Sequence, residues 1–538
     1  MKKIYPALRL LIVLLLSVKA VWPLFSSGYF PMHDNVQPAR VIAMSRALAE
    51  GQFPVRWVAD LGYGYGYPLF NFYGPLPYYV GGIAHLFTGD ALFATKFMMG
   101  AGMVLAAVSM YMLASLWLPF AGVLAVALLY MYAPYHGVQL FVRGAVGELW
   151  AYGLLPLVAA GIVGTFRKKK HSFLLGAVGL AGVITAHTIM GYLTVGLTAV
   201  SVIVAGLASK KFPTRLFAML AAGLGLSAFF WLPAVAEMGF TNVAGQVGGG
   251  ADFRDHFVCL SQLWQSPFGY GGSAQGCIDG FSFKLGKLHV VLGLVGIAFL
   301  VKGRRVLKPG DRAIGMGGTL LALGAVFFMT PLSSRLWEAL PYAGYIQYPW
   351  RLLTFALLGL ALLSGFIWKK LSGRLAVAAA FLTLILTLII NAEAFVPQYM
   401  YAAQSSDFEN TADLRLRASG ISDEYLPADF VRPSGEEELP RDTITGTATH
   451  GTMSVSAEES RDVIVPRAYF PGWRYWVAGQ EVQPQIVNGL PAVPVPAGEA
   501  VIEMRLVNTP VRTFANILSA VSVLVIGGMY AKYKKAIA

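Results

Sequence analysis

Residues 149–170 read LWAYGLLPLVAAGIVGTFRKKK, an uncharged and mostly apolar run up to Phe166 that ends in four consecutive basic residues. An apolar helix of about 20 residues spans the roughly 30 Å hydrocarbon core of a bilayer. Basic clusters next to such a helix stay on the cytoplasmic side. This stretch therefore predicts a membrane helix whose C-terminal end lies in the cytoplasm.

The composition of the whole chain agrees with that pattern. Of 538 residues, 56% are hydrophobic and 13% are charged, and the mean hydropathy is +0.60. This apolar share excludes a soluble enzyme. The net charge is +13, but the Lys and Arg residues cluster in short loops between apolar runs. The charge therefore indicates a positive-inside topology rather than nucleic-acid binding.

Hydropathy predicts about twelve transmembrane helices in the bacterial cytoplasmic (inner) membrane. The basic flanks fall on one side, so both termini are predicted to be cytoplasmic. Val18-Lys19-Ala20 faintly resembles a signal-peptidase site, but the apolar sequence continues to Phe25, which favours a retained helix. The predicted spans are residues 8–25, 93–117, 120–134, 149–166, 173–188, 191–209, 215–236, 288–301, 313–331, 352–368, 375–392 and 513–531.

Four polar segments face outward on this topology. The last of them alternates short apolar stretches with Gly and Pro breaks, which predicts a small β-sandwich-like domain. The predicted organisation is a membrane domain at 1–392, an outer β-rich domain at 393–512, and a final helix with a basic tail at 513–538. The four outward segments are residues 26–90, 237–287, 332–351 and 393–512.

The two cysteines, Cys259 and Cys277, lie in the same outward segment. In an oxidising compartment they are expected to form a disulfide. Two unrelated free thiols are the alternative.

Polar residues that could carry chemistry gather at the outer ends of the spans. His33 and Asp34 follow the first helix directly. A carboxylate beside a histidine at the membrane surface can accept a proton from a hydroxyl nucleophile, so Asp34 is the predicted base. A helix N-cap is the structural alternative for Asp34.

Three further outer positions carry charge or an imidazole. Arg143 and Glu148 lie where a span leaves and re-enters, and charges there are costly unless paired or functional. In the functional interpretation Arg143 binds phosphate and Glu148 orients a hydroxyl; in the alternative the two pair with each other. His187 lies at an outer turn, where a satisfied interface residue is the commoner role.

Basic residues also stand at the outer mouths of two other spans. Arg351 could hold a lipid phosphate through two parallel hydrogen bonds, with snorkelling to headgroups as the alternative. Lys284 and Lys287 flank a span on the outer side, against the topology bias, and could face an anion.

An aromatic run at residues 62–79, rich in Gly, Tyr and Pro, has neither helical nor strand periodicity. Its rings form either an interfacial belt or a surface that stacks on sugars. The candidate binding residues in it are Tyr65, Tyr67, Asn71 and Tyr73.

Together these motifs resemble bacterial membrane proteins labelled 6-pyruvoyl-tetrahydropterin synthase-related, within the GT-C glycosyltransferase superfamily. A pterin synthase needs a metal-binding His cluster in a soluble fold, and the eight His here are scattered. The C-terminal part resembles the outer β domain of YfhO-like membrane proteins. The motifs are His33-Asp34, residues 64–73, Arg143-Gly-Ala with Glu148, residues 347–351, Tyr469-Phe-Pro-Gly-Trp-Arg474 with Gly479, and Val493-Pro-Val-Pro-Ala-Gly498.

The GT-C resemblance implies an inverting transfer of a sugar from a polyprenyl-phosphate-linked donor to an extracytoplasmic glycan, lipid or protein. It gives Asp34 the role of base and lets Arg143 and Arg351 stabilise the leaving phosphate. His33 would tune Asp34. Some relatives use a divalent metal, which Asp34 and Glu148 could share, and others use none.

Two other function classes stay open. A flippase for lipid-linked saccharides would need a polar route through the spans, whereas the unusual polar residues cluster on one side. A non-catalytic accessory protein would bind a partner through its β-rich domain.

Overall fold

The computed structural model describes residues 4–167, 169, 172–246 and 248–535. Lys168 and Lys170, two of the basic residues used for orientation, lie outside the described residues. The α-helices are α1 Ile4–Val21, α2 Gln37–Ala49, α3 Leu69–Phe72, α4 Leu76–Thr88, α5 Ala91–Ala114, α6 Phe120–Met131, α7 Pro134–Phe141, α8 Val146–Phe166, α9 Ser172–Ala186, α10 Thr188–Ser209, α11 Thr214–Leu226, α12 Ala228–Glu237, α13 Leu260–Trp264, α14 Lys287–Gly303, α15 Pro309–Met329, α16 Ser334–Ala339, α17 Leu353–Trp368, α18 Gly373–Ile390, α19 Thr411–Asp413, α20 Ser419–Ile421 and α21 Pro510–Lys535.

The predicted polytopic helical membrane fold is confirmed, with fewer spans than twelve. Within the described ranges, eight helices are long and apolar enough to cross a bilayer, and ten candidates result if each of two bent pairs is one span. The eight are Ala7–Phe25, Ala91–Ala114, Val146–Phe166, Thr188–Ser209, Pro309–Met329, Pro349–Trp368, Gly373–Ile390 and Pro510–Ala531.

The missing spans are places where an apolar run is short or broken. The predicted span 120–134 ends at Pro134, and the helix bends by 42° between Met131 and Pro134 because Pro cannot donate a backbone hydrogen bond. The span predicted at 215–236 is likewise a pair bent by 70°. The spans predicted at 173–188 and 288–301 are α9, with 15 residues, and α14, with 17 residues.

Packing divides the chain into two compact units, each assembled from separate segments. The first comprises Met1–Asp34, Met99–Leu226 and Val247–Ala402, and the second comprises Asn35–Met98, Ser227–Gln246 and Ala403–Ala538. The boundaries expected near residues 392 and 512 stay a prediction.

Within the first unit, α8 packs closely against α9. A Cβ atom added at Gly161 would lie 2.6 Å from the Cα of Gly176, and one added at Gly179 would lie 2.8 Å from the backbone nitrogen of Val158. Only small residues allow membrane helices to approach this closely. The two helices therefore form a tight pair, and α8 carries Glu148 in its first turn.

The predicted β-rich region near the C terminus is confirmed and belongs to the second unit. A five-stranded antiparallel sheet has the order β1-β2-β8-β4-β5, and a three-stranded antiparallel sheet has the order β3-β7-β6. Buried and exposed residues alternate along β4, as in a half-buried strand. The strands are β1 Thr445–Gly446, β2 His450–Ala457, β3 Arg461–Ile464, β4 Trp473–Val477, β5 Gln480–Val482, β6 Gln485–Val487, β7 Leu490–Val495 and β8 Gly498–Leu506.

Candidate functional site

Glu148 is the centre of a buried polar cluster in the first unit. Its side chain is fully buried, and its carboxylate accepts hydrogen bonds from the Tyr135 hydroxyl at 2.5 Å and from Gln139 Nε2 at 3.2 Å. Its Oε2 also forms an ion pair with Arg143 NH1 at 2.8 Å. A buried carboxylate is tolerated only with such partners. The pairing alternative for Arg143 and Glu148 is therefore what the structure contains.

Two guanidinium groups share this one carboxylate. Arg351 Nε lies 3.6 Å from Glu148 Oε2, and its NH1 donates to the backbone carbonyl of Ile346 at 2.5 Å. Arg143 lies over the Trp350 ring, 4.4 Å from its centroid. Both arginines are buried. The one negative charge of Glu148 does not compensate both guanidinium groups, which favours a further anionic partner.

Asp34 lies beside this cluster through its backbone. The backbone nitrogens of His33 and Asp34 donate to the carbonyls of Val142 and Arg143, each at 3.0 Å. The Asp34 carboxylate is half-buried and interacts electrostatically with Arg143. Among the described residues it has no hydrogen-bond or ion-pair partner. It is thus a carboxylate that stays available beside Arg143.

The helix-cap alternative for Asp34 does not hold, because α2 begins at Gln37 and its N-cap residue is Val36, which makes no side-chain cap bond. His33 is exposed, and its Nε2 donates to the carbonyl of Tyr270 at 2.9 Å. Among the described residues, the His33 and Asp34 side chains do not contact each other. The predicted influence of His33 on the basicity of Asp34 therefore depends only on their being neighbours in the chain.

His187 is the N-cap residue of α10, where its Nδ1 accepts a hydrogen bond from the backbone nitrogen of Met190 at 3.2 Å. Burial and the positive charge of Arg351 lower the pKa of His187 to about 3. The imidazole is therefore neutral at physiological pH. It belongs electrostatically to the Glu148 cluster but serves there as a helix cap.

We expect His187→Asn to reduce the loss of stability on acidification. An unfolded chain's imidazole takes up a proton below about pH 6.5, whereas His187 in the folded chain stays neutral until about pH 3. Lowering the pH through this window therefore favours unfolding. Asn also caps helices but does not titrate. Thermal unfolding in detergent between about pH 4 and pH 7 measures the effect, with the exposed His450→Asn as control; equal acid sensitivity of both variants and the parent would contradict it.

Lys284 and Lys287 make other contacts. Lys284 Nζ forms an ion pair with Glu393, and Lys287 Nζ lies 5.8 Å from the centroid of the Trp264 ring. The charge of Lys284 is thus compensated within the fold. Their binding of an anion stays a prediction.

The aromatic run lies in the second unit, where two of its four candidates are part of the core. Tyr67 is buried and its hydroxyl accepts from the backbone nitrogen of Tyr425 at 3.2 Å. Asn71 is fully buried and bonds Arg56 and Glu237, each at 2.9 Å. Neither has surface left for a substrate.

Tyr65 and Tyr73 are half-buried and keep part of their ring surface. The Arg40 guanidinium lies 4.1 Å from the centroid of the Tyr73 ring, and the Tyr65 hydroxyl donates to the Glu438 carbonyl at 3.4 Å. A sugar contact by these two stays a prediction.

The sequence interpretation missed three members of the Glu148 cluster. Tyr135 and Gln139 are four residues apart in α7 and share one helical face, and Arg143 follows four residues later, just after α7 ends at Phe141. Gln139 Nε2 also donates to Thr354 Oγ1 at 3.3 Å. The four-residue spacing in the sequence could have identified Tyr135 and Gln139 as members of the cluster. No sequence pattern identifies Thr354.

A divalent metal does not fit this cluster. Both Glu148 oxygens are engaged by Tyr135, Gln139, Arg143 and Arg351, and the two guanidiniums would repel a cation. Over the described part of the chain, no group of three or more His, Cys, Asp or Glu could hold a metal ion. We therefore derive no step through a metal.

Cys259 and Cys277 form a disulfide, with their Cα atoms 5.6 Å apart. The bond closes a loop of the first unit that contains Tyr270, the residue that accepts the hydrogen bond from His33. It thereby restrains one of the segments next to the Glu148 cluster.

With eight to ten candidate membrane spans among the described residues and a buried polar cluster, the chain is a polytopic α-helical membrane protein. Residues 70–397 match the 6-pyruvoyl-tetrahydropterin synthase related domain, whose members are membrane proteins. Since the match covers more than half of the chain, the chain belongs to this family. The family resemblance drawn from the sequence motifs is confirmed.

Solved structures that are similar to the chain include the following three. Two are of the arabinofuranosyltransferase AftD from Mycobacteria. One is a mutant form with 15% sequence identity and a TM-score of 0.48, and the match covers 75% of this chain and 29% of that chain. The other has 17% sequence identity and a TM-score of 0.43, and the match covers 75% of this chain and 28% of that chain. The third is ArnT from Cupriavidus metallidurans bound to undecaprenyl phosphate, at 11% identity and TM-score 0.34, covering 73% of this chain and 89% of that one. The chain thus spans less than a third of the length of AftD. No curated protein matches the chain.

Proposed function

We propose that this protein is a GT-C-type membrane glycosyltransferase that moves a sugar from a polyprenyl-phosphate-linked donor to an acceptor outside the cytoplasmic membrane. The observation that carries the proposal is that an available carboxylate, Asp34, lies next to Arg143, which shares the counter-charge of Glu148 with a second buried arginine, Arg351. In such a transfer, arginines stabilise the negative charge of the leaving phosphate, and a carboxylate accepts the proton of the acceptor hydroxyl.

The chemistry balances on these residues. Asp34 takes the proton of the acceptor hydroxyl as its oxygen attacks the anomeric carbon from the face opposite the phosphate. The bond from that carbon to the phosphate oxygen breaks, the electron pair stays on the phosphate, and the anomeric centre inverts. Arg143 and Arg351 stabilise the charge that develops on the leaving phosphate.

Glu148 serves as a positioning residue in this scheme. It is fully buried, it accepts hydrogen bonds from Tyr135, Gln139 and Arg143, and it also forms an ion pair with Arg351, so both of its oxygens are occupied. Its role is to hold the two guanidinium groups next to each other. Without it, their mutual repulsion would drive them apart.

The two ends of the same helices support placing this site on the outer side. Glu148 is in the first turn of α8, and Arg167 follows its last turn, about 30 Å away at 1.5 Å per residue. Arg351 and Lys369 likewise stand at opposite ends of the span Pro349–Trp368. Arg167 and Lys369 both pair with Asp311, so the basic ends lie together. The positive-inside rule assigns those ends to the cytoplasm and the Glu148 cluster to the outer face.

We expect Arg351→Lys to weaken binding of undecaprenyl phosphate by about tenfold or more. Lys keeps the charge but loses the planar fork that holds a phosphate through two hydrogen bonds. Binding of undecaprenyl phosphate to the purified protein in detergent is the measurement, because this leaving group is common to all donors of the class.

Arg254→Lys is the matched control, since Arg254 is exposed and pairs with Asp252 at 3.0 Å, apart from the cluster. Equal affinity of the Arg351→Lys variant and the parent would remove Arg351 from the phosphate site. Failure of the parent protein to bind undecaprenyl phosphate would count against the proposed donor class.

A further inference from the structure

A cavity of about 320 Å³ lies in the second unit, at the edge of the five-stranded sheet where the chain passes from β8 into α21. The first residues of β4, the residues that end and follow β5, and the segment Val507–Pro510 form its walls. Small-molecule sites have volumes of about 300–1,000 Å³. The cavity is therefore large enough for one compact polar ligand.

Besides Thr509, four polar side chains stand around this cavity: Arg474, Glu481, Gln483 and Asn508. All four are exposed. Arg474 NH1 and Glu481 Oε1 are 3.6 Å apart, so their opposite charges compensate each other. The net charge of the lining side chains is zero. The amides of Gln483 and Asn508 can both donate and accept hydrogen bonds. Such a lining suits neutral hydroxyl groups and offers no excess cation to a phosphate.

Pro484 and Pro510 add rigid apolar surface to the same walls. A saccharide ring presents hydroxyl groups around its rim and C–H groups on its faces, so it matches a cavity that combines amides, a compensated ion pair and proline faces. A purely apolar ligand would leave the polar side chains without partners. The lining therefore favours a sugar over a lipid tail.

The walls are held by the buried interior of the second unit. Thr509 lines the cavity, and its hydroxyl donates to Glu237 Oε1 at 2.7 Å. Glu237 also accepts from Arg512 Nε at 3.0 Å. Gly472 has φ +102°, and a Cβ there would lie 2.4 Å from the carbonyl oxygen of Val507, so the backbone crossing at the cavity requires glycine. A cavity with fixed walls loses little entropy on binding.

We propose that this cavity binds a neutral saccharide unit at the membrane surface. Pro510 is the first residue of the last candidate span, so a bound sugar would sit where this chain enters the bilayer. The sugar can belong to a free glycan or to the headgroup of a glycolipid. The inference does not depend on Asp34 or on any transfer reaction.

The test uses the full-length protein in detergent and a panel of methyl glycosides of common hexoses, pentoses and N-acetylhexosamines, with binding followed by saturation-transfer NMR. We expect saturable binding of at least one glycoside. Gln483→Ala and Asn508→Ala should each weaken it by about tenfold. Gln485→Ala is the matched control, because Gln485 is an exposed glutamine on β6 that does not line the cavity.

Binding that both cavity variants leave unchanged would overturn the inference, as would binding of no glycoside in the panel, or displacement of the sugar by inorganic phosphate. A glycolipid with the same headgroup in nanodiscs tests the source: equal or tighter binding there supports a lipid-linked sugar, and binding of the soluble glycoside alone supports a free glycan. Asp34→Asn should keep glycoside binding, so loss of transfer in that variant leaves this inference intact.

Discussion

Asp34→Asn is expected to abolish sugar transfer while the protein stays folded and membrane-inserted. General bases contribute about 10²- to 10⁴-fold to a rate, and a fall of that size is expected in turnover. Asn has the shape of Asp but cannot accept the proton of the acceptor hydroxyl. Because the Asp34 carboxylate has no hydrogen-bond or ion-pair partner among the described residues, its replacement leaves no donor unsatisfied.

The measurement is transfer from a panel of radiolabelled polyprenyl-phosphate sugars, on the donor that the parent protein consumes. Asp252→Asn is the matched control, because Asp252 is also half-buried in the first unit but pairs with Arg254. Undecaprenyl phosphate should still bind the Asp34→Asn variant, which separates loss of chemistry from loss of the site. Full activity in that variant would end the assignment of Asp34 as the base.

Glu148→Gln is expected to lower the free energy of unfolding by about 3–5 kcal/mol, the usual cost of removing one partner from a buried ion pair. The substitution leaves Arg143 and Arg351 buried without their shared negative charge. Thermal or denaturant unfolding in detergent measures the loss.

The double variant Glu148→Gln with Arg143→Met should recover part of that stability, because it removes one of the two uncompensated buried charges. Glu338→Gln is the control: Glu338 is exposed and lies 3.5 Å from Arg254, so its removal should cost less than about 1 kcal/mol. Unchanged stability of Glu148→Gln would mean that the two arginines do not depend on this carboxylate.

The sequence by itself determined the membrane helices and most of their bounds. The span expected at 149–166 is Val146–Phe166, and that expected at 513–531 lies within Pro510–Lys535. Hydropathy succeeds here because the transfer of a helix into lipid depends on the composition of that helix alone. It failed where the backbone breaks, as at Pro134, because the bend depends on one residue that hardly changes the mean hydropathy of its window.

Only the tertiary structure decided which polar residues act together. Arg351 shares Glu148 with Arg143 although it is about two hundred residues further along the chain, and no local pattern records that approach. Asn71 and Tyr67 looked like surface residues because their run is aperiodic, yet both are buried. The difference is physical: apolar runs and basic flanks act through a bilayer that every segment meets separately, whereas a buried charge depends on partners that only the packed helices bring within reach.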